Sequence, residues 1–254
     1  INAADYGFAQ RRRRVFIFAY KNGITFEQEQ NNFSEDQIVF KEGFFAKPFP
    51  VSIEPFKDRI TSVKLPDDIV AISDSFKFGF HTGGYMKNGE VFTAHVVPKE
   101  EKATTLREIL IDESEVEEKF YLSEATAAKF EYLRGAKKIE RKTVDGHVYQ
   151  CSEGGMSPTD DLDKPGRTML TSEGSTNRST HIIEVNGRKR FLTPLECERL
   201  NGFDDNWTNT MSDRMRYFCM GNALVVGLIE RMGKRIEEIE QVSVETEIQM
   251  EFTL

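Results

Sequence analysis

The 254-residue sequence predicts a mixed α/β fold, and three observations support this prediction. The continuous apolar run Val15–Tyr20 is typical of a strand buried on both faces of a sheet. Asn-Gly or Asp-Gly pairs at 88–89, 145–146 and 186–187 each indicate the turn of a β-hairpin. A capped helical pattern begins at Thr193, so strands and helices both contribute to the expected fold.

The composition is 39% hydrophobic and 30% charged, and no stretch approaches the roughly 18 apolar residues that a membrane span needs. No secretory signal peptide is recognisable, so we expect no membrane association and a cytoplasmic location. The three cysteines, Cys151, Cys197 and Cys219, lack the spacing of metal ligands and are expected to be reduced thiols. The sequence therefore predicts no metal site.

The formal net charge of −8 argues, taken alone, against a nucleic-acid partner. The distribution of charge softens this conclusion. Residues 11–14 are four consecutive arginines, and the segment 164–190 carries six Lys or Arg residues against two Glu. Such asymmetry is compatible with a basic face, although a run of charges is usually only a solvated surface.

The arginine run lies directly before the apolar run. Because side chains alternate along an extended chain, Gln10, Arg12 and Arg14 are expected to share one side. Arg11 and Arg13 then share the other side. A row of guanidinium groups suits a phosphate or a planar hydrogen-bonding base, and the alternative is a solvated basic turn.

Between residues 21 and 123, turn-forming, strand-forming and helix-capping residues indicate the local structure. Residues 21–64 are rich in turn-forming residues and predict loops with short strands. Two β-like runs follow, at 75–80 and 90–97, and the second begins at the expected Asn-Gly turn. Thr105 and Ser123 are expected to cap two short helices.

The stretch 153–177 is rich in Gly, Ser, Thr, Pro and Asp and predicts exposed loops. The stretch from 164 to 183 carries many hydrogen-bonding side chains, among them Arg167, Thr168, Arg178 and His181. Such a mixture is used for groove readout and phosphate contact. The alternative is an ordinary hydrophilic loop.

The last part of the chain carries two helical patterns. Thr193 can cap the first, Pro194 suits its first position, Glu196 can complete a capping box, and Asn201-Gly202 ends it. A second helix is expected from Ala223 to about residue 236, directly after Gly221-Asn222. Asn at such a position is commonly an N-cap, and it also lies where a helix favours a carboxylate or phosphate.

Three stretches resemble, in order, conserved motifs of the DNA cytosine-5 methyltransferases. The eighth motif is matched by Asn2–Gly7 with Gln10, Arg12 and Arg14, the ninth by Arg190, Leu192, Thr193, Glu196, Arg199, Leu200, Gly202, Phe203 and Asp205, and the tenth by Gly221-Asn222-Ala223. Arg167-Thr168-Met169 resembles the short core of the family's target-recognition domain. The chain departs from the family pattern at Asp204, at Cys219-Met220 and at Ala223, which stands where Ser is common.

The resemblance implies the C-terminal part of a Rossmann-like α/β methyltransferase domain that depends on S-adenosylmethionine, with an inserted, mixed α+β target-recognition domain. On this basis residues 1–20 end the catalytic domain and 21–189 form the target-recognition domain. Residues 190–236 return to the catalytic domain, and 237–254 form an acidic tail.

The resemblance further implies methylation of carbon 5 of a flipped cytosine in double-stranded DNA. Arg12 and Arg14 would support catalysis and, with Gln10, hold the base and its backbone. DNA contacts are expected from Arg167, Thr168, Arg178 and His181, and cofactor contacts from Asn222 and Ala223.

The family's nucleophilic Pro-Cys-Gln loop, its Glu-Asn-Val motif and its Gly-rich cofactor loop do not occur in this sequence. Cys197 and Cys219 lie in helical patterns and are expected to be structural. We therefore expect an N-terminal half, as a separate subunit or as a missing portion of the same chain, and no activity from this chain alone. The alternatives are a non-catalytic, sequence-specific DNA-binding or regulatory protein, and a globular domain without a nucleic-acid role.

Overall fold

A computed structural model describes the backbone of residues 1–52, 60–75, 77 and 79–251. Nine β-strands and eight α-helices lie within these residues. The strands are β1 (Val51–Ser52), β2 (Thr61–Lys64), β3 (Gly83–Lys87), β4 (Glu90–Ala94), β5 (Val97–Pro98), β6 (Lys137–Lys142), β7 (Val148–Glu153), β8 (Ile182–Val185) and β9 (Arg188–Phe191). The helices are α1 (Thr25–Gln30), α2 (Glu35–Gln37), α3 (Ile69–Ser75), α4 (Leu106–Ile109), α5 (Glu124–Arg134), α6 (Pro194–Asn201), α7 (Asp213–Asn222) and α8 (Val226–Glu251).

The chain forms two compact units. The first unit contains Ile1–Arg14 and Lys102–Gly227, and the second contains Val15–Glu101 and Leu228–Leu254. None of the helices described is long and apolar enough to cross a membrane.

The first unit is built on two antiparallel hairpins, β6–β7 and β8–β9, and on helices α4 to α7. Its hydrophobic core joins residues from distant parts of the sequence, among them Ala9, Leu106, Met169, Leu200 and Tyr217. Apolar side chains from loops take part in this core beside those of helices and strands. The N-terminal segment and the loop before β8 are therefore fixed by the same packing that holds α6 and α7.

The second unit contains a three-stranded antiparallel sheet in the order β2-β4-β3 and a short β1-β5 pair. The β3–β4 turn uses Asn88 and Gly89, both with positive φ, as the sequence predicted. The same unit contains an aromatic cluster. Phe18 stacks on Phe44, and Phe26 meets Phe18 edge-on with ring centroids 5.9 Å apart.

The predicted hairpin turns and the capping box of α6 are confirmed in the first unit. Two hairpin turns lie at 145–146 and 186–187. Thr193 accepts from the backbone N–H of Glu196, the Glu196 carboxylate accepts in return from the N–H of Thr193, and Gly202 closes α6 in the left-handed conformation. The loop 153–177 has no helix or long strand after β7, but it is not wholly exposed, because Met169 is buried.

The prediction of a buried strand at Val15–Tyr20 is wrong for this structure. The segment pairs with no strand among the described residues, and the side chains of Val15 and Ile17 are each 88% exposed. A continuous apolar run indicates that a segment favours burial, but burial also requires neighbouring strands. The described part of this chain supplies none beside the segment.

The first β-like run, at 75–80, is also not a strand where it is described: Ser75 ends α3, and residues 77, 79 and 80 are irregular. Phe76 and Phe78 lie outside the described residues. The strand instead forms at Gly83–Lys87, because the Asn-Gly turn fixes the register of β3 against β4.

The helix predicted to begin at Ala223 begins at Val226 instead, and Gly221-Asn222 ends α7. Asn222 is therefore not an N-cap; its side-chain amide donates to the Phe218 carbonyl one turn earlier, at 3.1 Å. The predicted tail after residue 236 continues α8 to Glu251. Ion pairs such as Lys234–Glu230, one turn apart, support the exposed side of this helix.

Candidate functional site

The N-terminal arginine segment pairs with the loop before β8. The Arg11 N–H donates to the Gly166 carbonyl at 2.7 Å, and the Gly166 N–H donates to the Ala9 carbonyl at 2.7 Å. The Thr168 hydroxyl donates to the Arg11 carbonyl at 2.6 Å. The segment is therefore extended and held along its length, which is the conformation that its alternating pattern predicted.

Within this segment, the side chains of Gln10 and Arg12 are buried, with 0% and 2% of their surface exposed. The Gln10 carbonyl oxygen accepts from the Met169 N–H at 3.1 Å, and its amide donates to the Asn201 side chain at 3.1 Å. Arg12 donates to the Met169 carbonyl at 3.0 Å and to the Gly221 carbonyl at 2.9 Å. Gln10 and Arg12 thus connect the N-terminal segment, the loop, α6 and α7. We call Gln10, Arg12 and their hydrogen-bond partners Met169, Asn201 and Gly221 the buried junction.

The Arg12 guanidinium is surrounded by carbonyl oxygens. No carboxylate pairs with it among the described residues, and its Nε has no partner there. Burial and the charge of Arg14 lower the pKa of Arg12 to about 10. A buried cation without a counter-ion is costly, so the hydrogen bonds to backbone carbonyls must supply the compensation.

The other three arginines of the run face outward to different degrees. Arg11 and Arg13 are exposed, and Arg14 is half-buried with a hydrogen bond to the Arg13 carbonyl at 2.8 Å. The predicted alternation is therefore present. Of the side chains expected to hold a flipped base, only Arg14 keeps accessible surface.

The loop side chains predicted to read DNA make contacts within the protein. Arg167 pairs with Asp160, with its Nε 2.5 Å from Oδ1. Arg178 pairs with Glu153 at 2.7 Å, on β7. His181 is fully buried and its Nδ1 lies 3.0 Å from the Glu173 carboxylate.

Three of the side chains predicted to contact DNA are buried inside the protein. Gln10, Arg12 and His181 have almost no exposed surface, so the expected direct contact of these three with DNA is not what this structure presents. The reason is that polar side chains on a loop can satisfy the protein's own buried backbone as readily as an external ligand. Contact of Arg14 and Thr168 with DNA stays a prediction.

A second buried network was not predicted from the sequence. Arg190 is fully buried and donates to both oxygens of Glu196, each at 2.8 Å, and to Glu113 at 2.6 Å. Glu196 is the capping-box residue of α6 and has no exposed surface. The local signal identified Glu196, but nothing local indicated Glu113, which lies 77 residues before Arg190. We call these three residues the Arg190 network.

The predicted cofactor residues lie at the end of α7. Asn222 is exposed, and its side-chain oxygen has no partner among the residues described, whereas Ala223 is half-buried. An exposed amide oxygen can accept a hydrogen bond from an amino group of a ligand, and contact of Asn222 with a cofactor stays a prediction. Ala223 offers only a methyl surface.

The surroundings of Cys197 do not favour a catalytic role. Cys197 is fully buried in α6, and burial, followed by the charges of Glu173 and its neighbouring glutamates, raises the pKa of its thiol. Since the thiolate is the reactive form, this environment disfavours a nucleophile. Within the described residues no group of three or more His, Cys, Asp or Glu side chains is placed to hold a metal ion.

Asp160 is expected to make the stability of the first unit fall in acid. Burial alone disfavours its carboxylate, but the hydrogen bond from Arg167, the charge of His181 and the bond from Arg134 outweigh burial and hold its pKa well below the usual range. Its contribution is therefore complete above the unfolded pKa of about 3.9 and is lost as the pH falls below that value.

The measurement is the free energy of unfolding from about pH 6 to pH 2. Asp160→Asn should flatten the acid limb by up to about 1.4 kcal/mol per pH unit, which corresponds to one proton. Asp163→Asn is the control, because Asp163 is largely exposed and, among the described residues, its carboxylate pairs with the exposed Arg107. An acid limb that is equally steep in Asp160→Asn and in the unaltered chain would contradict the assignment.

Comparison with known proteins places these residues in a family context. Residues 1–238 match the family model described as C-5 cytosine-specific DNA methylase. The chain is 54% identical over 243 residues to the type II methyltransferase M.Sau3AI of Staphylococcus aureus, covering 96% of this chain and 58% of that protein. It is 27% identical over 124 residues to the type II methyltransferase M.DsaV of Dactylococcopsis salina, covering 49% of this chain and 32% of the relative.

A structure of the Entamoeba histolytica methyltransferase EhMeth is 15% identical, with a TM-score of 0.38, and the match covers 72% of this chain and 55% of that one. The chain spans a little over half the length of M.Sau3AI. The family model extends over all three stretches that carried the resemblance, and it confirms the α/β methyltransferase fold class. The chain therefore belongs to the family of C-5 cytosine-specific DNA methylases.

Proposed function

We propose that this chain is the C-terminal, DNA-recognising part of an enzyme that transfers a methyl group to carbon 5 of cytosine in double-stranded DNA. The buried junction carries the proposal. Through Gln10 and Arg12 it joins the N-terminal segment, the loop at 166–169, α6 and α7 by hydrogen bonds between 2.9 and 3.1 Å. These stretches include the sequence motifs that resemble those of the family.

The chemistry requires a cytosine outside the base stack, since the reacting carbon is inaccessible within a duplex. Arg14 shares the side of Gln10 and Arg12 but is only half-buried, and its planar donors suit the carbonyl of an extruded base or the phosphate beside it. Arg12 would not contact the base. It would hold the Met169 and Gly221 backbone in place around the base.

S-Adenosylmethionine, when bound, supplies the electrophilic methyl group. Asn222 would form one edge of its pocket, with the free side-chain oxygen as a hydrogen-bond acceptor and the amide already used to fix the side chain on Phe218. Ala223 would add apolar contact without the hydroxyl that other members carry. This chain thus contributes part of a cofactor site.

The thiolate that attacks the cytosine is assigned to an N-terminal half, either a second subunit or another portion of the same protein. The buried Cys197, with its raised thiol pKa, does not supply it. The second unit also exposes apolar side chains that favour burial, Val15 and Ile17 on the extended segment, each 88% exposed. We propose that the N-terminal half covers this segment as a neighbouring strand, because exposed apolar surface of this kind marks an interaction site.

The test combines the chain with the portion of M.Sau3AI that it does not match and measures transfer of labelled methyl groups to duplex DNA. We expect no transfer by the chain alone and transfer by the mixture. Arg14→Ala should lower the rate roughly 100-fold, the effect of removing one positioned donor. Arg141→Ala, on the exposed edge of β6, should leave the rate unchanged.

A second pair of variants tests the covered segment. Ile17→Asp should abolish methyl transfer by the mixture while the DNA affinity of the isolated chain stays the same. Val144→Asp is the matched control, since Val144 is fully exposed at the β6–β7 turn. Methyl transfer by the chain alone would contradict the assignment of the thiolate, and sequence-specific DNA binding without transfer by any mixture would favour a non-catalytic regulator.

A further inference from the structure

The arginines of the segment 164–190 are not available to DNA phosphates in the way that their number suggests. Each makes an ion pair with a carboxylate of the first unit: Arg167 with Asp160, Arg178 with Glu153, Arg188 with Glu118, and Arg190 with Glu113 and Glu196. A guanidinium that is already neutralised by a carboxylate contributes little to the binding of a polyanion. The positive surface that a DNA-binding role needs must lie elsewhere.

Arg11 and Arg13 have the properties that those arginines lack. Both are exposed, and neither side chain has a hydrogen bond or ion pair among the residues that the structure describes. They are two positions apart on an extended chain, so they share one side and stand about 7 Å apart. Each strand of duplex DNA carries one phosphate per 3.4 Å or so of helix axis, so the two guanidinium groups can meet different phosphates.

The backbone between them is held rigidly. Arg12 lies between them and is anchored to the carbonyls of Met169 and Gly221 on the opposite side. The Arg11 backbone is paired with Gly166 and Thr168, and Arg13 forms an antiparallel bridge with Asn2. The backbone is therefore already ordered when an anion binds, and only the two side chains lose freedom, which favours binding.

The arrangement is also unfavourable without an anion. Arg11, Arg13 and Arg14 are three cations within four residues, and no carboxylate pairs with their side chains in the described part of the chain. Mutual repulsion of this kind is relieved by a bound polyanion. The family resemblance rests on Gln10, Arg12 and Arg14 and assigns no role to positions 11 and 13.

We propose that Arg11 and Arg13 are the principal phosphate-binding side chains of this chain and set its register on the DNA backbone beside the base held by Arg14. This inference rests on the proposed function, because it presupposes a duplex DNA partner. It separates two tasks within one run of four arginines: Arg12 fixes the fold, and Arg11 and Arg13 bind the backbone. The loop arginines at 167 and 178 then shape the protein surface and carry little of the electrostatic affinity.

The test measures the dissociation constant of the full 254-residue chain for a 30-base-pair duplex from about 50 to 300 mM salt. Each phosphate contact contributes about 0.9 to the slope of log affinity against log salt concentration. Arg11→Gln and Arg13→Gln should each reduce the slope by about 1, and the double variant by about 2. Arg11→Lys and Arg13→Lys should keep the slope, since a phosphate contact needs the charge.

The matched controls are Arg178→Gln and Arg188→Gln, which remove arginines that are already paired with carboxylates. They should change the slope by less than about 0.3 if only unpaired charges displace counter-ions. The same reduction in the double variant is expected on duplexes of unrelated sequence, because phosphates carry no sequence information. Thermal unfolding of each variant shows that the fold is retained.

The outcomes are distinguishable. Salt-dependent DNA binding with an unchanged slope in the Arg11→Gln/Arg13→Gln variant overturns this inference and leaves the proposed function standing. An equal loss in the Arg178→Gln and Arg188→Gln controls also overturns it, because the contacts would then be spread over the surface. Absence of any salt-dependent binding by the unaltered chain overturns the inference together with the DNA-recognising role.

Discussion

Replacing Arg190 with methionine is expected to lower the free energy of unfolding of the first unit by about 3–5 kcal/mol. The substitution leaves the Glu196 carboxylate fully buried without its cation, and Glu113 loses the same partner. A buried charge that loses its counter-ion retains the full cost of removal from water. The loss should therefore exceed what the packing volume of the two side chains would suggest.

The measurement is urea denaturation followed by tryptophan fluorescence. The single tryptophan, Trp207, lies in the first unit and reports on its unfolding. Arg188→Met is the control: it is two residues away on the same strand, half-exposed, and paired with an exposed Glu118. It should cost no more than about 1 kcal/mol, as exposed ion pairs do.

A double variant separates charge from packing. Arg190→Met combined with Glu196→Gln removes the uncompensated buried charge, so it should be more stable than Arg190→Met alone. Equal destabilisation by Arg190→Met and Arg188→Met would show that the Arg190 network does not hold α6 against the strand before it.

The Arg190 network also illustrates what the sequence can and cannot predict. The capping box of Thr193 and Glu196 was predictable because both partners lie within one turn of helix. Three hairpin turns were predictable for the same reason, since Asn-Gly and Asp-Gly act through their own backbone angles. Such signals need no knowledge of distant residues.

Burial and pairing depend on distant residues and were not predictable in the same way. The apolar run at Val15–Tyr20 showed a preference for burial, but it did not show which strands lie beside it. As an arginine on a polar loop, Arg167 was predicted to contact DNA. Its charge is instead neutralised by Asp160, seven residues earlier in the sequence. Asn222 resembled an N-cap because a helix follows it, but α7 extends through Gly221 to reach it.

Some of the residues that the resemblance assigned to one site are brought together by the fold, and their roles stay a prediction. Gln10, Arg12 and Thr168 do come together, as a shared role requires. Their hydrogen bonds are directed inward, which the alternating pattern allowed for Gln10 and Arg12 but could not establish. The sequence alone does not distinguish Arg11 and Arg13 from the loop arginines, because the difference lies in the carboxylates that pair with the loop arginines in the fold.

Gly221→Ala is expected to destabilise the first unit by about 1–3 kcal/mol, although alanine normally favours a helix. A Cβ at this position would stand 2.4 Å from the Thr171 backbone nitrogen and 2.5 Å from the Leu170 carbonyl carbon. Backbone atoms cannot move aside as the end of a flexible side chain can. Either α7 or the loop at 170–171 must shift.

The shift would reach the buried junction, because the Gly221 carbonyl accepts from Arg12. We therefore expect Gly221→Ala to weaken DNA binding as well as stability. Gly233→Ala is the matched control, since Gly233 is also helical, and no atom beyond the helix backbone lies within 4 Å of its Cβ position. Gly233→Ala should stabilise α8 by about 0.5–1 kcal/mol, measured by circular dichroism during thermal unfolding.

The pair of glycine variants distinguishes two roles for Gly221. If Gly221 served only to end α7, alanine would be tolerated there as it is at Gly233, since the residue has an ordinary helical backbone without positive φ. If it serves to admit the loop backbone, alanine must displace Thr171 and weaken the bond from Arg12. A Gly221→Ala variant as stable as the unaltered chain, with full DNA affinity, would show that the loop backbone at 170–171 does not require a glycine at this position.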